Sequence, residues 1–445
     1  MNQDQFKYAL KCGRGSAIRY VQQYGADAVR DILLAACIEN QAYDGQCEGN
    51  RADWLFSMIR GCKSEAWFAE SLVKQLNDPD EYCDLEQVCE LLAKLALAGH
   101  ENAAHTLRQF VWGQVIECEM DDWYGFHAII SLDGEPALIR VIRILGSILK
   151  TDERAYVDSL DSLTHDTGIS DTALALIESH ADSDEYIALY INREKREAEK
   201  EAKRESETPI ERDARIKQFG QKYLVDLPVE LVIQMAKEKQ SGCNGKFRQF
   251  GRFAGDAERQ AILRVIDQES DLDVVNRLAR VFMVGEPAWI PAQIWTLLAS
   301  EDENTHYIAS KFLSNSKDVA VGDYVRQYLH DQSIAHNPSF LRLLKKHLIE
   351  ADVVLIYSVL NTQWSDDDLH EAGRALLEVC EENKHIPTGK VCEWMYLNNP
   401  CSLCREGAID LLIEHDYVSA DVINEGVWDV NGDTVQKLKQ YSKAT

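Results

Sequence analysis

The chain is poor in residues that break regular structure, with 9 prolines and 24 glycines spread over 445 positions. A β-sandwich or barrel needs turn signals about every ten residues, so this scarcity argues against turn-rich β architecture and for helices. No uninterrupted apolar run approaches the ~18 residues that a membrane-crossing helix requires. The N-terminal residues Met1-Asn2-Gln3-Asp4-Gln5 lack the basic-then-apolar order of a secretory signal. Positive charge is short as well: 47 Lys and Arg stand against 74 Asp and Glu, a net charge of −27. Such a chain repels phosphate backbones on average, which favours a basic partner or plain solubility over nucleic acid. Neither a Gly-rich loop ending in Gly-Lys-Ser/Thr nor a His-Glu-x-x-His pair occurs. The chain is therefore expected to be non-enzymatic, with no catalytic residue, no metal and no cofactor.

What is present is the material of a helical protein. A hydrophobic fraction of 45% is ordinary for a folded chain. Twelve cysteines are scattered, several on apolar helical faces (Cys37, Cys89, Cys380), where a thiol acts as a small hydrophobe. Without an export signal they are expected to stay reduced in a cytoplasmic protein. Apolar residues recur at three- and four-residue steps, the period of amphipathic helices. Two helices are expected over 6–39, divided by Gly13-Arg14-Gly15, a turn that either breaks the helix or cradles an anion. Asp84-Leu85-Glu86-Gln87 has the arrangement of a capping box ahead of a helix that stops at Gly99, and a second helix starts at Glu101. Helices joined so tightly must run antiparallel. Another helix follows Asp133-Gly134-Glu135-Pro136, with a pair at about 152–163 and 170–179.

Residues 193–217 hold nine basic and eight acidic side chains, and 193–204 contain no large apolar residue, so an exposed charged helix is expected there. Beyond it, helices are expected at 228–239, 245–254, 256–267, 271–284, 288–299, 304–313, 318–330, 338–349, 352–360, 366–381, 389–397 and 400–415. The organisation this suggests is an N-terminal helical half (1–190), a charged helical spacer (191–218) and a C-terminal half (219–445).

One stretch carries a family resemblance. Asn399 can cap a helix and Pro400 suits its first position. Leu403, Cys404, Gly407, Ala408, Leu411 and Leu412 then paint an apolar face. With Cys404, Arg405 and Ala408 in the Val, Arg and Ala slots of Asp-Pro-x-x-x-Val-Arg-x-x-Ala-x-x-Ala-Leu, residues 399–412 resemble the second helix of a HEAT repeat. The resemblance covers this stretch, and no fixed repeat length runs through the chain. It implies an all-α fold, an α-solenoid of stacked antiparallel helix pairs with divergent HEAT-like (armadillo-like) repeats. It also implies a protein–protein interaction scaffold, one form being an immunity or inhibitor protein whose acidic surface covers a basic partner. The alternative it implies is a HEAT-like DNA-binding or DNA-repair protein of the alkylbase glycosylase kind.

Candidate binding residues follow from charge. Residues 117–185 hold sixteen acidic and four basic side chains, with Glu117, Glu119, Asp121, Asp122 and Trp123 packed closely, a belt suited to a basic protein or to general solvation. The opposite pole is 237–264, with seven basic and three acidic residues. There Lys246, Arg248 and Arg252 interleave with Phe247, Phe250 and Phe253; the cations suit an anion or acidic partner, while helical spacing puts the rings in a core. Cys401-x-x-Cys404, with Cys392, His385 and His415 nearby, admits a metal or redox reading, but a second tight ligand pair is missing and structural thiols are expected. Asp429-x-Asn431-Gly432-Asp433 resembles part of a calcium loop, yet its glycine falls early; a turn with Asp433 capping the last helix is expected instead.

Overall fold

A computed structural model of the chain describes residues 1–62, 64–117, 123–165, 167–169, 171–331, 337–360 and 363–444. Every regular element among them is helical, and no helix is long and apolar enough to cross a membrane. Local signals set many of the helix ends. Asn2 and Gln5 form a reciprocal capping box ahead of the helix Gln3–Lys11, and Thr208 and Glu211 form another ahead of Pro209–Asp226. Ser365 accepts the amide of Asp368 at 3.2 Å, and three aspartates fill the first turn that follows, where the helix dipole favours negative charge.

Several expectations need correction. The stretch 6–39 is built from three helices, Gln3–Lys11, Gly15–Tyr24 and Arg30–Ile38, with turns between them, rather than two. Of 152–163 only Leu160–Thr164 is helical. Residues Pro338–Lys346 form a 3-10 rather than an α-helix. Asp84 accepts the Gln87 amide at 2.9 Å, but the Gln87 side chain does not turn back to complete a box; its amide donates to the carbonyls of Ala36 and Cys37. The helix expected at 400–415 begins at Ser402, with Cys401 rather than Asn399 in the capping position, and Leu403 points to solvent.

The chain divides into two compact units, the first comprising Met1–Glu207 with Glu425–Val435 and the second Thr208–Asn424 with Gln436–Thr445. In the first, a continuous core runs from Phe6 and Leu33 through Ile59, Leu72, Leu91 and Leu107 to Leu138, Ile142 and Ile187. The distant segment 425–435 joins this unit at the Gly13-Arg14-Gly15 turn. The Val430 amide donates to the Gly13 carbonyl at 2.9 Å, and Trp54 Nε1 donates to the Trp428 carbonyl at 2.9 Å. A Cβ on Gly15 would lie 2.0 Å from the Glu425 carbonyl oxygen, so glycine is required by close approach of backbone.

In the second unit, neighbouring helices pack in sequence. Asp366–Glu382 touches Gly389–Asn398 and also Ser402–Glu414, and Leu272–Ala279 touches both Ala292–Leu298 and Glu303–Ser314. The 3-10 stretch Pro338–Lys346 lies against Glu303–Ser314 and Asp366–Glu382 and carries Arg342 fully buried. That guanidinium sits 5.1 Å from the Tyr307 ring centre, with Glu371 at 3.3 Å and Glu378 at 3.7 Å. Back in the first unit, the helix Glu185–Glu205 ends in the exposed charged run expected of it, with Lys195 on Glu178, Arg196 on Glu153 and Lys200 on Glu197.

Candidate functional site

A cleft of about 950 Å³ opens in the first unit. One wall is the helix Leu85–Leu97, whose three- and four-residue steps bring Glu86, Glu90, Lys94 and Leu97 onto one face. A second wall is the start of Phe126–Asp133, with Phe126, His127 and Ser131. Asp158, Asp161 and His165 come from the segment around Leu160–Thr164, and Trp123 and Asp53 close the sides.

The segment bearing the two aspartates is held from behind. Tyr190 donates its hydroxyl to the Asp158 carbonyl at 2.8 Å, and Glu194 accepts the Leu160 amide at 2.8 Å. His127 ties the walls together: its Nε2 lies 2.7 Å from the His165 carbonyl and its Nδ1 3.7 Å from Glu90. Gly125, at φ +83°, brings its backbone so close to the helices behind that a Cβ would lie 2.9 Å from Cys89 Sγ and from Val111 Cγ2. Its amide donates to Glu86 Oε2 at 2.7 Å.

The electrostatics of this cleft point one way. Five carboxylates (Asp53, Glu86, Glu90, Asp158, Asp161) face one lysine, Lys94, which is already paired with Asp53 at 2.5 Å. Burial pushes Glu86 up to about 7, with Glu90 adding repulsion and the Gly125 amide opposing the rise. Trp123 and Phe126 sit with ring centres 5.6 Å apart, and the buried Trp123 Nε1 has no hydrogen-bond partner among the described residues. Aromatic faces beside concentrated negative charge suit a guanidinium or ammonium group.

Of the acidic belt expected from sequence, Trp123 lines this cleft. Glu119, Asp121 and Asp122 lie outside the described residues, as does the side chain of Glu117, which ends the helix Glu101–Glu117. Asp158 and Asp161 of the cleft fall within the acidic stretch 117–185, outside its closely packed cluster, while Asp53, Glu86 and Glu90 lie beyond that stretch. Glu86 and Glu90 were legible only as a four-residue pair on one helix, and Asp53, Asp158 and Asp161 join them through tertiary folding.

The basic patch lies on the helix Asn244–Phe253 of the second unit. Lys246, Arg248 and Arg252 are exposed there, while Phe247 and Phe250 are fully buried and Phe253 packs on Phe219 and Tyr223. Cys401 and Cys404 are buried, and the structure brings His370 to them, not His385, His415 or Cys392. Cys392 lies instead with Cys380 and with Thr388, whose hydroxyl is 3.7 Å from its sulfur. The calcium-like stretch is a turn in which Asn431, not Asp433, caps the helix Gly432–Ala444 by accepting the Thr434 amide at 2.9 Å. Comparison with protein-family models, curated proteins and solved structures gives no match for this chain.

Proposed function

We propose that this chain is a non-enzymatic protein–protein interaction scaffold whose acidic cleft seats a basic segment of a partner protein. The observation that carries the reading is the convergence of four carboxyl groups, Glu86, Glu90, Asp158 and Asp161, beyond the Asp53–Lys94 pair on a cleft walled by Trp123 and Phe126. A cation entering there relieves like-charge repulsion and meets an aromatic wall, so binding energy and specificity have one source. The architecture belongs to the same proposal: a divergent HEAT-like α-solenoid, supported by runs such as Glu65–Asn77, Leu85–Leu97, Glu101–Glu117 and Phe126–Asp133, in which a helix touches the next and the next but one in sequence. An immunity or inhibitor protein covering a basic toxin or nuclease, in the reducing cytoplasm, is the concrete form this takes.

An arginine-rich peptide tests it, titrated by calorimetry against the full chain. Expected are binding that weakens at least about tenfold between low and physiological salt, and loss of that binding in Asp158→Asn/Asp161→Asn. An acidic peptide and a short DNA duplex, run alongside, are expected not to bind. Equal affinity for the acidic peptide sinks the cleft reading. Tight, salt-sensitive duplex binding that Arg248→Ala/Arg252→Ala abolishes would move the function to the basic patch and the DNA-repair alternative.

A further inference from the structure

The stretch that resembles a HEAT helix contains a second feature, unconnected with charge. One ring nitrogen of His370 and the Sγ atoms of Cys401 and Cys404 lie within 4.8 Å of one another. His370 comes from the helix Asp366–Glu382, while Cys401 caps Ser402–Glu414 and Cys404 sits in its first turn. Both thiols are buried and His370 is half-buried, so the cluster keeps a route to solvent. We propose that His370, Cys401 and Cys404 bind one zinc-like, borderline-soft divalent cation, the fourth position being left to water or another ligand.

Chemistry and distance both favour this. Two thiolates and one imidazole are the donor set that zinc takes in tetrahedral sites. Zinc–sulfur bonds of about 2.3 Å place tetrahedral ligand atoms ~3.8 Å apart, so each donor must close by ~1 Å or less, within reach of small side-chain rotations. Two thiolates cancel the charge of a divalent ion, and the first turn of Ser402–Glu414 presents the positive end of a helix dipole to the sulfurs.

The two elements are also locked in register. Asn399, fully buried, donates its side-chain amide to the Leu369 carbonyl at 2.9 Å and accepts the Cys401 amide at 3.0 Å. One side chain thus fixes the residue before His370 relative to Cys401. Arg405 braces the same loop from below, donating to the Pro400 carbonyl at 3.0 Å. Such outer supports hold metal ligands in place before the ion arrives.

The test uses the full-length, reduced and metal-stripped chain, with Co²⁺ as spectroscopic probe and Zn²⁺ as competitor. Expected are one Co²⁺ per chain with a thiolate-to-cobalt charge-transfer band in the near ultraviolet, displaced by Zn²⁺. His370→Gln keeps the band but weakens binding by about a hundredfold, at least the loss an outer support would cause. Cys401→Ser/Cys404→Ser removes the band, while Cys47→Ser changes nothing. A readout that needs no variant is alkylation mapped by mass spectrometry: Zn²⁺ shields Cys401 and Cys404 and leaves the exposed Cys47 open. No metal uptake, a band surviving in the double variant, or uptake without shielding of the two thiols each overturns the site.

Discussion

A Cβ placed on Gly373 would lie 1.9 Å from Nδ2 of Asn399, so the two residues are fitted to one another. Gly373 sits inside the helix Asp366–Glu382, where glycine ordinarily costs about 0.5–1 kcal/mol relative to alanine. Its presence there is explained by what it admits: the buried amide that joins the Leu369 carbonyl to the 399–401 loop.

Gly373→Ala should therefore destabilise the protein despite the better helix former. The clash displaces Asn399 and leaves the Leu369 carbonyl and Cys401 amide without their bonds, a loss of about 2–4 kcal/mol. Gly113→Ala is the matched control, since a Cβ there meets nothing within 4 Å in the helix Glu101–Glu117. It should stabilise by about 0.5–1 kcal/mol. Urea midpoints of the two variants should move in opposite directions. If both rise, Asn399 has no grip on the helix.

Gly15→Ala tests the seat of the segment 425–435. The added methyl meets the Glu425 carbonyl oxygen at 2.0 Å and Trp428 Cβ at 2.8 Å. The segment must lift, and the Val430 amide loses its bond to the Gly13 carbonyl. Hydrogen exchange at Val430 should accelerate at least about tenfold, with the helix Leu85–Leu97 unchanged. Trp54→Phe removes the bond to the Trp428 carbonyl together with part of a buried indole, and should loosen the same segment by about 1–2 kcal/mol.

Arg342 and Glu378 should respond unequally. Burial lowers the Lys311 ammonium pKa, yet Lys311 still holds Glu378 at 2.5 Å, and Arg374 holds Glu371 at 3.0 Å. Replacing Arg342 by methionine therefore strands neither acid, and two of its nitrogens have no hydrogen bond to lose. Arg342→Met should cost about 1 kcal/mol or less, whereas Glu378→Leu leaves Lys311 and Arg342 facing one another and should cost about 3 kcal/mol or more. Thermal denaturation of both variants decides. The reverse order would mean that Arg342 is the indispensable member of the cluster.

Helix positions were largely legible in the sequence, because three- and four-residue periodicity and side-chain caps are local signals. Residues 256–267, 366–381 and 389–397 were expected as helices, and the structure has Asp256–Gln268, Asp366–Glu382 and Gly389–Asn398. Phe247 and Phe250 were placed in a core by the same spacing. Tertiary meetings had no such signal. Nothing near Cys401 pointed to His370, because the two lie on separate helices brought together by Asn399. The glycines at 13 and 15 do fall at a helix break, but what requires them lies more than four hundred positions away in sequence: the Glu425 carbonyl against Gly15, and the Val430 side chain against Gly13, whose φ is also positive. A count along the chain marked the stretch that holds Asp158 and Asp161 but not that Asp53 and Glu86, from two other stretches, fold against it.

Glu86 gives the cleft a pH dependence whose sign can be worked out. Its folded-state value of about 7 lies above the 4.5 of an ordinary glutamate, chiefly through burial, with Glu90 and Asp84 adding to the rise and the Gly125 amide and His127 opposing it. Below 4.5 both folded and unfolded chains hold the proton and no penalty exists. As pH climbs towards 7 the unfolded chain releases it first, so stability falls with rising pH across that window and the loss is complete above it. The side chain is half-buried, so the loss is on the order of 2 kcal/mol after allowing for solvent screening. Glu86→Gln should flatten this slope, leaving the variant the more stable protein above pH 7 and nearly equal to the parent in acid. A cation in the cleft needs the carboxylate ionised, so peptide binding near neutral pH should expel a proton and tighten as pH rises from about 6 to 8. Calorimetry in two buffers of different ionisation heat measures that proton directly. Binding without proton release, or with the same pH profile in Glu86→Gln, would show that the ligand does not reach Glu86.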